Sequence, residues 1–155
     1  MNSGGLIFTQ NNQNQYEMVR LRQMLTYSIR NRLRSIEIIN KLIAESPDNL
    51  STSFLERLRA NDELSLDKFY KLYSETYGNP PEITIPPEET SYSTYKDGLI
   101  LALRLKMDAV ALARTFVSLL SENAMGKSLF ENTVILDLEQ ENIINILYSH
   151  NIGLE

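Results

Sequence analysis

Arg32-Leu33-Arg34-Ser35-Ile36-Glu37-Ile38-Ile39 decides the fold of this chain, because a similar stretch returns later as Lys106-Met107-Asp108-Ala109-Val110-Ala111-Leu112-Ala113. In each copy a basic residue stands in the middle of an apolar stripe with helical spacing. The two stripes are Leu25, Ile29, Arg32, Ile36, Ile39, Ile43 and Leu99, Leu103, Lys106, Val110, Ala113, Val117. A charge within such a stripe is costly to bury unless it is paired. The partners of Arg32 and Lys106 are therefore the main functional question.

Composition limits the class of protein. A chain of 155 residues is long enough for one domain with a continuous core. It has no cysteine, which excludes disulfides, thiolate metal sites and a cysteine nucleophile. The net charge is −5 and the basic residues are interspersed with acids, so we expect no nucleic-acid partner. With no membrane-length apolar run and no secretory signal pattern, we expect a cytoplasmic protein without a membrane partner.

Helical spacing predicts four long helices. The first covers about residues 16–45 and ends before Pro47, because the residue before proline disfavours the α conformation. The second is opened by a capping box of Ser53 and Glu56 and ends at Gly78. The third covers about 93–120, and the fourth is opened by a second capping box, Ser128 with Glu131, and ends near Tyr148.

A proline-rich segment, residues 79–92, separates the second and third helices and contains four of the five prolines. Extended at about 3.3 Å per residue, it is long enough to travel from one end of a helical bundle to the other. The sequence therefore predicts an all-α four-helix bundle over 15–150. Its two hairpins are 16–78 and 93–148, they are joined by this lengthwise crossover, and a flexible polar tail, 1–14, precedes them.

The two halves also share an acidic residue in the second helix of each hairpin. These residues are Glu63, within Asn61-Asp62-Glu63-Leu64-Ser65-Leu66, and Glu139, within Asp137-Leu138-Glu139-Gln140-Glu141-Asn142. Glu139 belongs to a stripe that we expect to face inward, composed of Ile135, Glu139, Asn142 and Ile146.

With this arrangement the chain resembles the ferritin-like, rubrerythrin-like family over about residues 20–150. Members of that family place one Glu from the first helix and a Glu-x-x-His from the second helix of each hairpin around two iron or manganese ions. The resemblance places Arg32 and Lys106 at the positions of the two single glutamates. It places Glu63 and Glu139 at the retained glutamates, and Leu66 and Asn142 at the two histidines.

Four of these six positions therefore carry residues that differ from the family pattern. A protonated arginine or lysine does not bind a metal cation, and leucine offers no donor atom. We predict that Arg32 pairs with Glu63 and Lys106 with Glu139, so that internal cations replace the metals. Removing one partner of such a pair should cost about 3–5 kcal/mol. The alternatives are that Arg32 and Lys106 reach water at the edge of the bundle and that Glu63 is an ordinary surface acid.

The remaining polar residues have simpler interpretations. We expect His150, the only histidine, to face solvent at a frayed end of the chain. We assign four acids to the solvated sides of their helices and four tyrosines to the ends of the bundle with wet hydroxyls. The acids are Asp62, Asp67, Asp137 and Glu141; the tyrosines are Tyr70, Tyr73, Tyr77 and Tyr148.

The resemblance implies a non-catalytic member of the family, without cofactor and without its metal centre, that acts as a structural or interaction protein. A homodimer or an unidentified protein partner would fit that role. The alternative is a metal-dependent oxidase or peroxide-detoxifying protein with iron or manganese at an unconventional carboxylate site, built from Glu63, Glu139, Asp62, Asp137 or Glu141. By association only, the family also suggests a role in bacterial spores, which no residue of this chain indicates.

Overall fold

Four α-helices make up most of the chain. A computed structural model describes residues 4–122 and 124–152, with side chains from residue 14 onward. The helices are α1 (Gly4–Ala44), α2 (Asn49–Tyr77), α3 (Tyr95–Leu119) and α4 (Lys127–Ile152), with a short 3-10 helix at Pro87–Thr90. The described part of the chain contains no strand. The prediction of an all-α protein with four long helices is confirmed, and no described helix is long and apolar enough to cross a membrane.

The helix ends differ from the sequence predictions most clearly in α1, α2 and α4. Helix α1 begins at Gly4 rather than near residue 16, so the backbone of the predicted tail is helical from Gly4 onward; residues 1–3 lie outside the described part. Helix α2 begins at Asn49 and is capped by Asp48, whose carboxylate accepts a hydrogen bond from the Ser51 amide at 2.7 Å, so the Ser53–Glu56 capping box does not open it. Helix α4 begins at Lys127 and ends at Ile152.

Two apolar clusters form the core. The first joins Ile38, Ile39, Leu42, Leu55, Leu58, Leu99, Ala102, Leu105, Ile144 and Leu147. The second joins Leu21, Met24, Leu25, Ile29, Phe69, Tyr73, Phe116, Leu120 and Phe130. Because each fully buried Leu, Ile or Phe stabilises the folded state by about 1.5–3 kcal/mol, these clusters are the main source of stability. Between the two clusters lies a layer of buried charged residues, one on each helix: Arg32, Asp62, Lys106 and Asp137.

Each helix packs against two others: α1 against α2 and α3, and α4 against α3 and α2. Antiparallel pairing of α1 with α2 places Arg22 beside Tyr73, whose hydroxyl accepts a hydrogen bond from Arg22 Nε at 3.0 Å. Phe130 on α4 touches both Phe69 on α2 and Phe116 on α3, with ring centroids 5.9 and 5.3 Å apart. These contacts fix the face that each helix turns inward.

The segment between α2 and α3 is bound to α1 by polar contacts. Arg30 Nη2 lies 2.5 Å from Glu89 Oε1. The Thr90 side chain, which is fully buried, accepts a hydrogen bond from Lys41 Nζ at 2.8 Å and donates one to Glu37 Oε1 at 2.7 Å. Ile83 packs against the second apolar cluster and Tyr92 against the first. These contacts hold the segment against the helices at Ile83, Glu89, Thr90 and Tyr92.

Candidate functional site

Arg32 lies in the centre of the molecule and is only 2% exposed. Its Nη1 and Nη2 donate hydrogen bonds to the two carboxylate oxygens of Asp137, each at 2.6 Å. Nη1 also donates to Asp62 Oδ1 at 3.2 Å. The guanidinium carbon lies 5.9 Å from the centre of the Phe69 ring. The two-pronged contact with Asp137 matches the planar geometry of a guanidinium and is the strongest form of such a pair.

Lys106 is fully buried on α3 and donates a short hydrogen bond to Asp62 Oδ1. The other oxygen of Asp62 accepts a hydrogen bond from the Ser35 hydroxyl at 2.6 Å. We call Arg32, Asp62, Lys106 and Asp137 the charge cluster. Each helix contributes one member, and the two cations and two anions cancel formally.

Burial and neighbouring charge act in different directions on the two cations. Burial by itself would lower the pKa of Arg32, but the hydrogen bonds and charge of Asp137 and Asp62 outweigh it and raise that pKa above its usual value. Burial lowers the pKa of Lys106 and repulsion from Arg32 adds to this effect, while the charges of Asp62 and Asp137 oppose it. Of the two paired cations, Arg32 is therefore more strongly stabilised in its charged form than Lys106.

The prediction that Arg32 pairs with Glu63 and Lys106 with Glu139 is wrong for both cations. Glu63 is exposed and lies 3.9 Å from Arg59 Nε on the outside of α2. Glu139 is likewise exposed on α4. Arg32 pairs with Asp137 and Asp62, and Lys106 pairs with Asp62. The prediction that these two aspartates lie on the solvated sides of their helices is wrong, since both are fully buried.

On α2 the buried residues Leu55, Asp62 and Phe69 are spaced by seven, which is two helical turns. This spacing brings Asp62 to the same face as the apolar residues and turns Glu63 away by about 100°. Ser65, three residues after Asp62, is also buried, whereas Leu66 is half-buried and packs against the second apolar cluster. The inward pair on α2 is therefore Asp62 and Ser65.

Helix α4 carries apolar residues on opposite faces, and the prediction that Ile135, Glu139, Asn142 and Ile146 face inward is wrong, since all four are exposed. The buried stripe is Phe130, Thr133, Asp137, Gln140, Ile144 and Leu147. Ile135 and Ile146 are 62% and 56% exposed, and Asn142 lies with them on the outer face. The contacts of Phe130 with the rings of α2 and α3 determine which face is buried.

The remaining acids and the histidine do not join the charge cluster. Asp67 is exposed, and Glu141 is half-buried, with its pKa raised by burial and by the charge of Asp137. His150 does not simply face solvent, since its Nε2 lies 3.0 Å from the carboxylate of Asp48. Within the described chain, no group of three or more acidic, histidine or cysteine side chains is placed to hold a metal ion.

The prediction that the hydroxyls of the four tyrosines face water does not hold for Tyr73 and Tyr77, whose hydroxyls are hydrogen-bonded within the protein. Tyr73 is 3% exposed and bound to Arg22, and the Tyr77 hydroxyl donates a short hydrogen bond to the carbonyl of Met18. The ring of Tyr148 lies 5.5 Å from Lys96 Nζ. Tyr70, which is half-buried, packs against the second apolar cluster.

No family model, no curated protein and no solved structure matches this chain.

Proposed function

We propose that this protein is a ferritin-like bundle in which the charge cluster takes the place of a dinuclear metal centre, and that it acts as a non-catalytic structural or interaction protein. The observation that carries the proposal is the pairing of Arg32 and Lys106 with Asp62 and Asp137. In each hairpin the first helix supplies a cation and the second supplies an aspartate. The four residues thus come from the same helices as the ligands of the family, with cations in place of the two single glutamates, and the ion pairs Arg32–Asp137 and Lys106–Asp62 join the two hairpins.

The positions of the inward-facing residues support the same proposal. On α2 the buried pair is Asp62 and Ser65, and on α4 it is Asp137 and Gln140. Both pairs have the i, i+3 spacing of the family's Glu-x-x-His motif. We therefore align these four buried residues with the family's motif, in place of Glu63, Leu66, Glu139 and Asn142. The new alignment is better because all four of its residues face inward.

The connectivity agrees with the proposal as well. The segment between α2 and α3 touches the second apolar cluster through Ile83, α1 through Glu89 and Thr90, and the first cluster through Tyr92. A lengthwise crossover along α1 would make these contacts in this order. Such a crossover joins the two hairpins of a ferritin-like fold.

The residues at the centre do not fit an iron or manganese pair. Arginine is always protonated in practice, and its guanidinium contacts both aspartates. Hard divalent cations need several free oxygen ligands, and here the nearest carboxylate oxygens are hydrogen-bonded to cations and to Ser35. Of the acids considered for the oxidase alternative, Glu63 and Glu139 are exposed, and Asp62 and Asp137 are hydrogen-bonded to cations.

The outer face of α4 supports an interaction role, with a second copy of the chain as the partner. Ile135, Leu138 and Ile146 form an exposed apolar stripe interrupted by Asn142. In an antiparallel two-fold pairing, Ile135 of one copy would meet Ile146 of the other, and Asn142 would meet Glu139. The stripe is self-complementary in this arrangement, as an isologous interface requires.

Light scattering after size-exclusion chromatography tests this role. We expect a dimer for the wild-type chain and a monomer for Ile135→Lys, which places a charge in the stripe. The matched control is Leu64→Lys on the outer face of α2, where the residue is 53% exposed, and it should remain a dimer. A wild-type monomer at the highest concentration tested would contradict self-association through α4.

A further inference from the structure

A small cavity lies beside the charge cluster, and Arg32 is one of the residues that line it. Its volume is about 10 Å³, close to the space that one water molecule needs. The small side chains of Ala109 and Ala113 leave this room in the core. The polar residues that line it are Ser28, Asn31, Arg32 and Thr133.

Two buried polar atoms of these residues have no hydrogen-bond partner among the described residues. They are the donor Arg32 Nε and the acceptor Asn31 Oδ1. The other end of the Asn31 amide donates to the carbonyl of Leu105 at 3.2 Å, which fixes the oxygen and nitrogen of that amide. A buried group without a partner costs about 1–3 kcal/mol, so both atoms favour the binding of a small polar molecule.

The two hydroxyl groups at the cavity can only accept further hydrogen bonds. Ser28 Oγ donates its proton to the carbonyl of Met24 at 2.9 Å. Thr133 Oγ1 donates its proton to the carbonyl of Phe130, also at 2.9 Å. The cavity therefore offers one donor, on Arg32, and as many as three acceptors, on Asn31, Ser28 and Thr133.

We propose that this cavity binds a single water molecule as a fixed part of the folded protein. The water accepts a hydrogen bond from Arg32 Nε and donates to Asn31 Oδ1 and to the hydroxyl of Ser28 or Thr133. A halide ion could accept from Arg32 but could not donate to Asn31, and an ammonium ion could not accept from Arg32. Three hydrogen bonds is the usual number for a buried water. The proposal does not depend on the ferritin-like relationship.

A crystal structure of the full chain at about 1.5 Å resolution tests the site directly. We expect one density peak within hydrogen-bond distance of both Arg32 Nε and Asn31 Oδ1. A crystal soaked in bromide should give no anomalous peak there. Either an empty cavity at that resolution or a bromide peak at this position would overturn the proposal.

Nuclear magnetic resonance provides a second test in solution. In a rotating-frame experiment, the Nε–H proton of Arg32 should show a cross-peak to water with the sign of a dipolar contact rather than of proton exchange. In Asn31→Leu, which removes an acceptor and fills space, this cross-peak should disappear. Its absence from the wild-type protein, or its persistence in a folded Asn31→Leu, would contradict the site. If the variant does not fold, the wild-type cross-peak and the crystal structure still show whether the water molecule is bound.

Discussion

Asp137 accepts hydrogen bonds from both terminal nitrogens of Arg32, and this bidentate contact requires a precise relative placement of α1 and α4. Burying two ions costs several kcal/mol each, which good geometry and further hydrogen bonds only offset. The charge cluster is therefore better understood as a device that fixes how four helices meet than as a large net source of stability. Removing one member should nevertheless be costly, because a buried charge would then lack its partner.

Asp137→Asn tests this at the residue scale. It keeps the size of the side chain but removes the negative charge that faces Arg32, so Asp62, at 3.2 Å, is the anion that remains bonded to Arg32. We expect the free energy of unfolding, measured by urea denaturation, to fall by about 3–5 kcal/mol. The neighbouring exposed residue supplies the control, and Glu139→Gln should change the same free energy by less than about 0.5 kcal/mol. Equal effects of the two substitutions would mean that the charge cluster is misplaced.

The elements show how far the sequence could predict this molecule. The number and order of the helices, the end of α2 at Gly78 and the burial of Arg32 and Lys106 follow from spacing and helix-ending residues. The register of the acids did not follow on α4, because that helix has apolar residues on two faces and only contacts with Phe69 and Phe116 select one. On α2 the seven-residue spacing of Leu55, Asp62 and Phe69 was a usable signal.

Asp48 gives the start of α2 a dependence on pH. The hydrogen bond from the Ser51 amide, followed by the contact with His150, lowers the pKa of this carboxyl from 3.8. Because the folded pKa lies below the unfolded one, Asp48 contributes stability above pH 3.8 and loses it as the pH falls through the folded pKa.

Asp48→Asn retains a good capping residue but removes this titration. We expect the wild-type protein to have the higher melting temperature at pH 7 and the two melting temperatures to converge as the pH falls below 3.8. His150→Gln, which removes one cause of the lowered pKa, should shift the convergence to higher pH. A difference between wild type and Asp48→Asn that stays constant with pH would exclude this role of Asp48.

The connection between α2 and α3 depends on Thr90, whose hydroxyl links Lys41 and Glu37 of α1. Thr90→Val keeps the branched shape and removes both hydrogen bonds. We expect chemical denaturation to show a loss of about 1 kcal/mol, the usual contribution of a hydrogen bond. Thr84→Val, at an exposed position of the same segment, is the matched control and should be nearly neutral. If both variants are neutral, the contacts with α1 do not stabilise the segment.

The whole molecule consists of two apolar clusters separated by a polar layer that crosses all four helices. Such a layer restricts how the helices can slide or rotate, because any other register would leave Arg32 or Lys106 without an anion. Under the proposed ferritin-like alignment, this layer lies where that family binds its metal ions. We therefore propose that Arg32 and Lys106 carry out the structural task of a metal centre and that the protein has no metal chemistry.

The metal content of the purified protein tests most directly whether the cations have replaced a metal centre. The chain is expressed in medium supplemented with iron and manganese, purified without chelator, and its metal per chain is counted by plasma mass spectrometry. We expect far less than one metal ion per chain and a melting temperature that does not change when Fe(II) or Mn(II) is added. One or two tightly held ions per chain, with a melting temperature that rises when they are restored, would contradict the proposal and favour the oxidase alternative.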